Sequence, residues 1–259
     1  MNQPINRRDF VKGGAAATIV AGFDAPRENQ EKEKIEGNKR PLEIAVYLYP
    51  GMTAFDAICP YDILSGGIPD STVRFVAKER GLVRMDSQML SLHADYAIRE
   101  INAADVLLLP GGGSTPTQMR DQEVLAWVRR IHEKSKWTVS VCTGSLILAA
   151  AGLLKGLEAT THWAAMETLA MFGAKPARRR VVKQGKIVTA AGVSAGIDMA
   201  LSLVALECGE EQAKAVQLSI EYDPQPPFDS GSVEKAPPAL VNKVKASLLE
   251  YSRKASGVK

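Results

Sequence analysis

Five short, nearly continuous runs of apolar residues recur along this chain, and most lead into a turn and then into helically spaced residues. Residues 42–48 end at Pro50-Gly51, and Thr72–Ala77 comes next. Residues 105–109 end in Pro110-Gly111-Gly112-Gly113. Trp137–Val141 runs directly into Cys142-Thr143-Gly144-Ser145, and Ile187–Ala190 is the fifth. Runs this short, bounded by Gly and Pro, read as strands. Their apolarity is continuous rather than alternating, which marks strands covered on both faces and hence a parallel sheet. Helical spacing appears between them: over residues 55–64, broken near Pro60; at Val124, Leu125, Val128 and Ile131; over 146–151; and over 194–206. This alternation predicts an α/β fold, a doubly wound, mostly parallel sheet with helices on both faces.

The ends of the chain read differently. Residues 6–12 are Asn-Arg-Arg-Asp-Phe-Val-Lys, and residues 13–23 are a mild apolar stretch rich in Gly and Ala. The paired Arg7-Arg8 ahead of that stretch resembles a twin-arginine export signal over residues 1–25 and predicts a periplasmic or otherwise exported protein, cytoplasmic if the signal is unused. No Ala-x-Ala marks a cleavage site; Asp24-Ala25 is the plausible end. Residues 26–40 alternate charges around the single apolar Ile35 and read as a solvated linker. One domain is expected over 41–235, followed by a C-terminal helix and tail over 236–259. Residues 222–231 carry three prolines and should form an extended arm, with an amphipathic helix near 241–251.

Composition excludes several classes. No apolar run approaches the roughly 20 residues of a membrane span. A net charge of +3 does not by itself point to nucleic acid. Three cysteines are too few for a disulfide scaffold and leave at least one free thiol. Three histidines, with neither Cys-x-x-Cys nor His-x-x-x-His, give no basis for a metal site.

Ligands of open parallel sheets bind beyond the carboxyl ends of the strands, and Cys142 lies at such an end, on a sharp strand-to-helix turn. The N–H groups and dipole of the following helix favour a thiolate there. Gly144 lets the turn close tightly. Thr143 and Gly112, from the neighbouring glycine turn with Gly111, are candidates for an anion hole. Cys142 is otherwise a small buried hydrophobe. Asp56 follows the first strand and is either a helix cap or an acid/base with a raised pKa. Asp198 reads as a cap, Cys208 as buried, His93 and His132 as surface residues, and Arg178-Arg179-Arg180 as a solvated strand edge.

Taken together, Ser140-Val141-Cys142-Thr143-Gly144-Ser145, Leu109-Pro110-Gly111-Gly112-Gly113, Asp56 with Pro60 and Asp62, Ala159-Thr160-Thr161-His162-Trp163, Ala195-Gly196-Ile197-Asp198, and Glu221-Tyr222 with Pro226-Pro227-Phe228 resemble the DJ-1/PfpI family, most of all its isonitrile-hydrating members. The resemblance spans about residues 42 to 235 and implies a class I glutamine-amidotransferase-like, flavodoxin-like fold in a homodimer. It implies Cys142 as nucleophile, Asp56 as general acid/base and Thr143 as an assisting residue. The implied reaction adds water to R–N≡C, giving an N-substituted formamide, with a small-molecule substrate and no metal or organic cofactor. Where the family often has glycine before the proline, this chain has Cys59, which either lines the pocket or packs in the core. Thr143 stands where protease-like members carry His, which weakens a peptidase reading. His162 is a possible pocket residue or a structural one. Family relatives that regulate transcription carry a further DNA-binding region; the 28 residues after Gly231 are too short for one, so such a regulator is not expected. A ligand-binding or sensor module, or another thiol activity such as glyoxalase, deglycase or stress protection, remains the alternative.

Overall fold

The computed structural model describes residues 41–257; the expected export signal and the linker over 26–40 lie outside the described residues. The chain builds β1 (Glu43–Tyr47), α1 (Ala54–Gly67), β2 (Thr72–Ala77), β3 (Gly81–Arg84), β4 (Ser91–Ala94), β5 (Tyr96–Ala97) and β6 (Val106–Leu109). It continues through α2 (Thr115–Gln118), α3 (Gln122–Lys134), β7 (Trp137–Val141), α4 (Gly144–Ala150), β8 (Glu158–Ala159), α5 (Met166–Met171) and β9 (Lys175–Pro176). The last elements are β10 (Val181–Gln184), β11 (Ile187–Ala190), α6 (Ala195–Cys208), α7 (Glu210–Ser219) and α8 (Pro238–Ala255).

Seven strands form one sheet in the order β10-β11-β7-β6-β1-β2-β5. Every pairing in it is parallel except that of β10 with β11. All four residues of β6 and all four of β11 are buried, as their unbroken apolarity requires. Helices α1, α6 and α7 pack together, and α4 packs against α2, α3 and α5, so that helices surround the sheet. On α3, Val124, Leu125, Trp127, Val128 and Ile131 form the buried stripe, and Asp121 caps its first turn by accepting from the N–H groups of Glu123 and Val124.

The order of the strands positions the site. β1, β6 and β7 are adjacent and parallel, so the segments leaving their carboxyl ends converge on one edge: α1 after β1, the glycine turn after β6, and the Cys142 turn after β7.

Four local expectations are corrected. α1 runs unbroken through Pro60, which is buried; Pro60 forfeits only the hydrogen bond to the Asp56 carbonyl and packs into the space beside Gly196, where a Cβ would lie 3.5 Å from the Pro60 ring. Cys208 is exposed, because the buried stripe of α6 stops at Val204, one turn before the helix ends. Asp198 does not cap α6; its carboxylate pairs with Arg180 at 2.6 Å and accepts from the Tyr222 hydroxyl at 2.8 Å. His132 is half-buried, with Nδ1 2.9 Å from Thr138 Oγ1. Arg178 and Arg179 are exposed and pair with Glu234 and Glu158. The proline-rich arm forms no regular element, and α8 extends beyond the expected helix at both ends.

Candidate active site

Cys142 sits where β7 gives way to α4 with φ +58°, a conformation that an L residue adopts only when its surroundings enforce it. The enforcement is visible in the glycines. A Cβ on Gly144 would overlap the Leu109 carbonyl, and one on Gly111 would lie 2.5 Å from the Thr143 nitrogen. The Cys142 turn and the β6 glycine turn are therefore in backbone contact, and only glycines permit the approach. Ser145 and Thr161 brace the elbow by donating to the Cys142 carbonyl, at 3.3 and 3.0 Å.

Asp56 reaches the same point from the first turn of α1. It caps nothing: Thr53 holds the cap position, and its side chain makes no capping hydrogen bond. Its carboxyl is fully buried, with Oδ2 accepting from the Gly111 N–H at 3.0 Å. Oδ1 accepts no hydrogen bond of normal geometry, and the Cys142 thiol lies against the carboxyl. Burial drives the Asp56 pKa up to about 7; the Gly111 N–H and the Cys142 thiol pull it down, and the Asp86 charge adds to the rise. Asp86 is anchored nearby by the Thr53 hydroxyl at 2.8 Å.

The Cys142 thiol is raised well above its ordinary value, first by burial and then by the Asp56 charge. The Thr143 N–H and hydroxyl oppose this by hydrogen-bonding the sulfur. The N-terminus of α4 favours a thiolate, while burial and the Asp56 charge act against it, beside a carboxyl whose pKa is about 7. A nucleophile and a proton carrier in contact, shielded from water, can add a thiol across an unsaturated carbon and move its proton.

The remaining expected residues fall as follows. Gly112 does reach Thr143, but its N–H donates to Thr143 Oγ1 at 3.0 Å and is thereby engaged. Cys59 is a half-buried free thiol one helical turn beyond Asp56, its pKa raised by burial and then by Asp56 and Asp62. His162 opens the 3-10 turn Trp163–Ala165, with Nδ1 accepting the Ala164 N–H at 3.3 Å; no hydrogen bond joins it to Cys142 or Asp56 among the described residues. Sequence reasoning missed Tyr49, Thr115 and Asp86. Tyr49 was legible only as a phenol at a strand's carboxyl end and Thr115 as a hydroxyl just past the glycines. Also missed was Tyr251 of α8, whose ring fills the space a Gly113 side chain would take, while Ser252 donates to the Gly113 carbonyl at 3.1 Å. Among the described residues no group of three or more His, Cys, Asp or Glu could hold a metal, and no helix is long and apolar enough to cross a membrane.

Comparison with known proteins places the fold. The model of the DJ-1/PfpI family matches residues 42–206. Isonitrile hydratase of Pseudomonas putida is 41% identical over 205 residues, covering 79% of this chain and 89% of the relative. The crystal structure of a THiJ/PfpI family protein from Pseudomonas syringae superposes with a TM-score of 0.79 at 36% identity, covering 92% of this chain and 98% of that one. Drosophila melanogaster DJ-1beta, at 20% identity and a TM-score of 0.64 over 70% of this chain and 98% of its own, shares the fold. The chain belongs to the DJ-1/PfpI family.

Proposed function

We propose that this protein hydrates isonitriles, R–N≡C, to N-substituted formamides, with Cys142 as nucleophile, Asp56 as general acid and base, and Thr143 assisting at the sulfur. The observation that carries this reading is the buried contact between the Cys142 thiol and an Asp56 carboxyl whose pKa is about 7. A carboxyl poised there gives and takes a proton with equal ease at neutral pH. The 41% identity to an isonitrile hydratase, extending over most of both chains, supports the same reaction.

In the first half-reaction the Asp56 carboxylate takes the Cys142 thiol proton as the sulfur attacks the terminal carbon, and hands that proton to the same carbon. One C–S and one C–H bond form, the N≡C bond becomes N=C, and the product is a thioimidate, R–N=CH–S–Cys142. Asp56, again a carboxylate, takes a proton from water as the oxygen adds to the same carbon. Asp56 returns that proton to the nitrogen, the C–S bond breaks as the hydroxyl proton passes to the departing sulfur, and R–NH–CHO leaves with the thiol restored. The Thr143 N–H and hydroxyl stabilise the sulfur whenever it carries charge.

Incubation with cyclohexyl isocyanide, followed by mass spectrometry for the N-substituted formamide, tests the reading. Wild type that forms none, or Cys142→Ala and Asp56→Asn variants that keep full turnover, would overturn it. Thermal stabilisation by the isonitrile without turnover would instead favour a binding module. We propose a homodimer on the family resemblance, tested by light scattering, and export on Arg7-Arg8 and the Gly/Ala stretch behind them, tested by fractionating cells that express the full chain.

A further inference from the structure

A chain of three hydroxyls runs through the buried edge of the sheet to the sulfur. The Tyr49 hydroxyl lies 3.1 Å from the Pro110 carbonyl and 3.0 Å from Thr115 Oγ1. Thr115 Oγ1 lies 2.8 Å from the Gly112 carbonyl and 2.8 Å from Thr143 Oγ1. Thr143 Oγ1 already accepts the Gly112 N–H and itself hydrogen-bonds Cys142. Tyr49 and Thr115 are each 1% exposed, so solvent cannot supply a missing partner.

Each hydroxyl has one proton to give, so the sulfur competes for the Thr143 proton with Thr115 Oγ1 at 2.8 Å and with the Gly112 carbonyl at 3.4 Å. When Thr143 donates to the sulfur, its short contact with Thr115 needs a proton from Thr115. Thr115 can then no longer donate to the Gly112 carbonyl, and its contact with Tyr49 needs the proton of Tyr49. All three protons point toward Cys142. Otherwise Thr143 donates back to Thr115 or to the Gly112 carbonyl, and the sulfur loses its hydroxyl donor. A neutral thiol tolerates either; a thiolate selects the first, and each bond in the chain polarises the next.

We infer that Tyr49 and Thr115 are positioning residues that turn the Thr143 hydroxyl toward Cys142 Sγ as the sulfur becomes charged. The inference rests on Cys142 being the reactive thiol and extends that reading to two residues whose hydroxyls bond Pro110, Gly112, Thr143 and each other rather than the sulfur. Burial and the neighbouring Asp56 and Cys142 charges keep the Tyr49 phenol protonated, so it acts only as a donor.

The test is carbamidomethylation of the full chain by iodoacetamide from about pH 6 to about pH 10, with each cysteine followed by peptide mass spectrometry. No isonitrile is present, so the inference can fail while the hydratase reading stands, and the reverse. The ionisable groups around the sulfur are Asp56 on α1, with Asp86 beyond it, and Tyr49 at the end of β1; the titration therefore belongs to a coupled set, and variants are compared with wild type rather than read absolutely. Tyr49→Phe and Thr115→Val should each slow Cys142 alkylation near neutral pH about fivefold and move its profile to higher pH, while Thr115→Ser returns it to within about twofold of wild type. Exposed Cys208 should be unchanged in all of them and serves as the control. A variant that merely loosens the fold alkylates Cys142 faster, not slower. Wild-type rates and pH profiles for both Tyr49→Phe and Thr115→Val, or failure of Thr115→Ser to restore what Thr115→Val loses, would overturn the inference.

Discussion

The two ends of the central strands treat buried polar groups in opposite ways. At the amino ends, Asp105 accepts the Glu43 N–H at 2.9 Å and ties β6 to β1. Thr138, at the start of β7, meets both His132 and Ser135 at 2.9 Å, and the Lys186 ammonium gathers the carbonyls of His132, Glu133 and Ser135 at the end of α3. Those groups are satisfied, and the arrangement works as a staple. At the carboxyl ends the same residue types are left in tension. Asp56 Oδ1 accepts no hydrogen bond of normal geometry, Cys142 has a positive φ, and two acids in contact compete for protons. One sheet thus carries a stabilising edge and a reactive edge: at the first, Glu43 Oε2, itself without a hydrogen bond of normal geometry, keeps the Arg74 guanidinium at 2.8 Å, whereas at the second Asp56 Oδ1 faces a thiol.

The largest expected effect separates the edges by activity. Cys142→Ala and Asp56→Asn should each lower isonitrile turnover by about 10³-fold or more with circular dichroism unchanged, whereas Thr138→Val at the opposite edge should leave turnover within about twofold of wild type. Equal losses at both edges would break the comparison.

The second effect is on stability and changes with pH. Folding raises the Asp56 pKa from 3.8 to about 7. Its contribution is therefore fully present below pH 4 and is lost as pH rises through about 7, on the order of 4 kcal/mol across the window. Asp56→Asn should match wild type in thermal melts near pH 4 and exceed it above pH 7. A wild type that gains on the variant with rising pH would contradict the assignment.

Gly144→Ala comes next. The new methyl must displace the Leu109 carbonyl, for which about 3 kcal/mol of destabilisation by urea titration is expected. The same change at Gly231, where nothing lies within contact distance of the added atom, should cost less than about 0.5 kcal/mol. The smallest effect is Asp105→Ala. Leaving the Glu43 N–H without its acceptor should cost about 1–3 kcal/mol by the same measurement, a loss that does not reverse above pH 7 as the Asp56→Asn difference does.

How far the site is legible in the sequence depends on the range of the interaction. Cys142, Thr143 and Gly144 are adjacent, and their turn is announced by a strand ending in a small-residue cluster; the glycine turn after β6 is announced in the same way. Asp56 is visible as a candidate, but whether it caps a helix or faces a thiol is a question about where α1 lands. The reading at Pro60 failed because local propensity says break, while packing against Gly196 holds the helix together. The reading at Cys208 failed because an apolar helix does not reveal where the layer beneath it ends.

The sequence by itself determined the alternation of buried strands and helices, and with it the parallel sheet and the edge where chemistry gathers, because apolar patterning and turn chemistry act over a few residues. Only the tertiary structure decided the rest. It set Asp56 against Cys142, spent the Gly112 N–H on Thr143, and lined Tyr49 and Thr115 up behind the sulfur. Those contacts join residues from 28 to 86 positions apart. Their protonation and direction depend on desolvation, which exists only once the chain has closed around them.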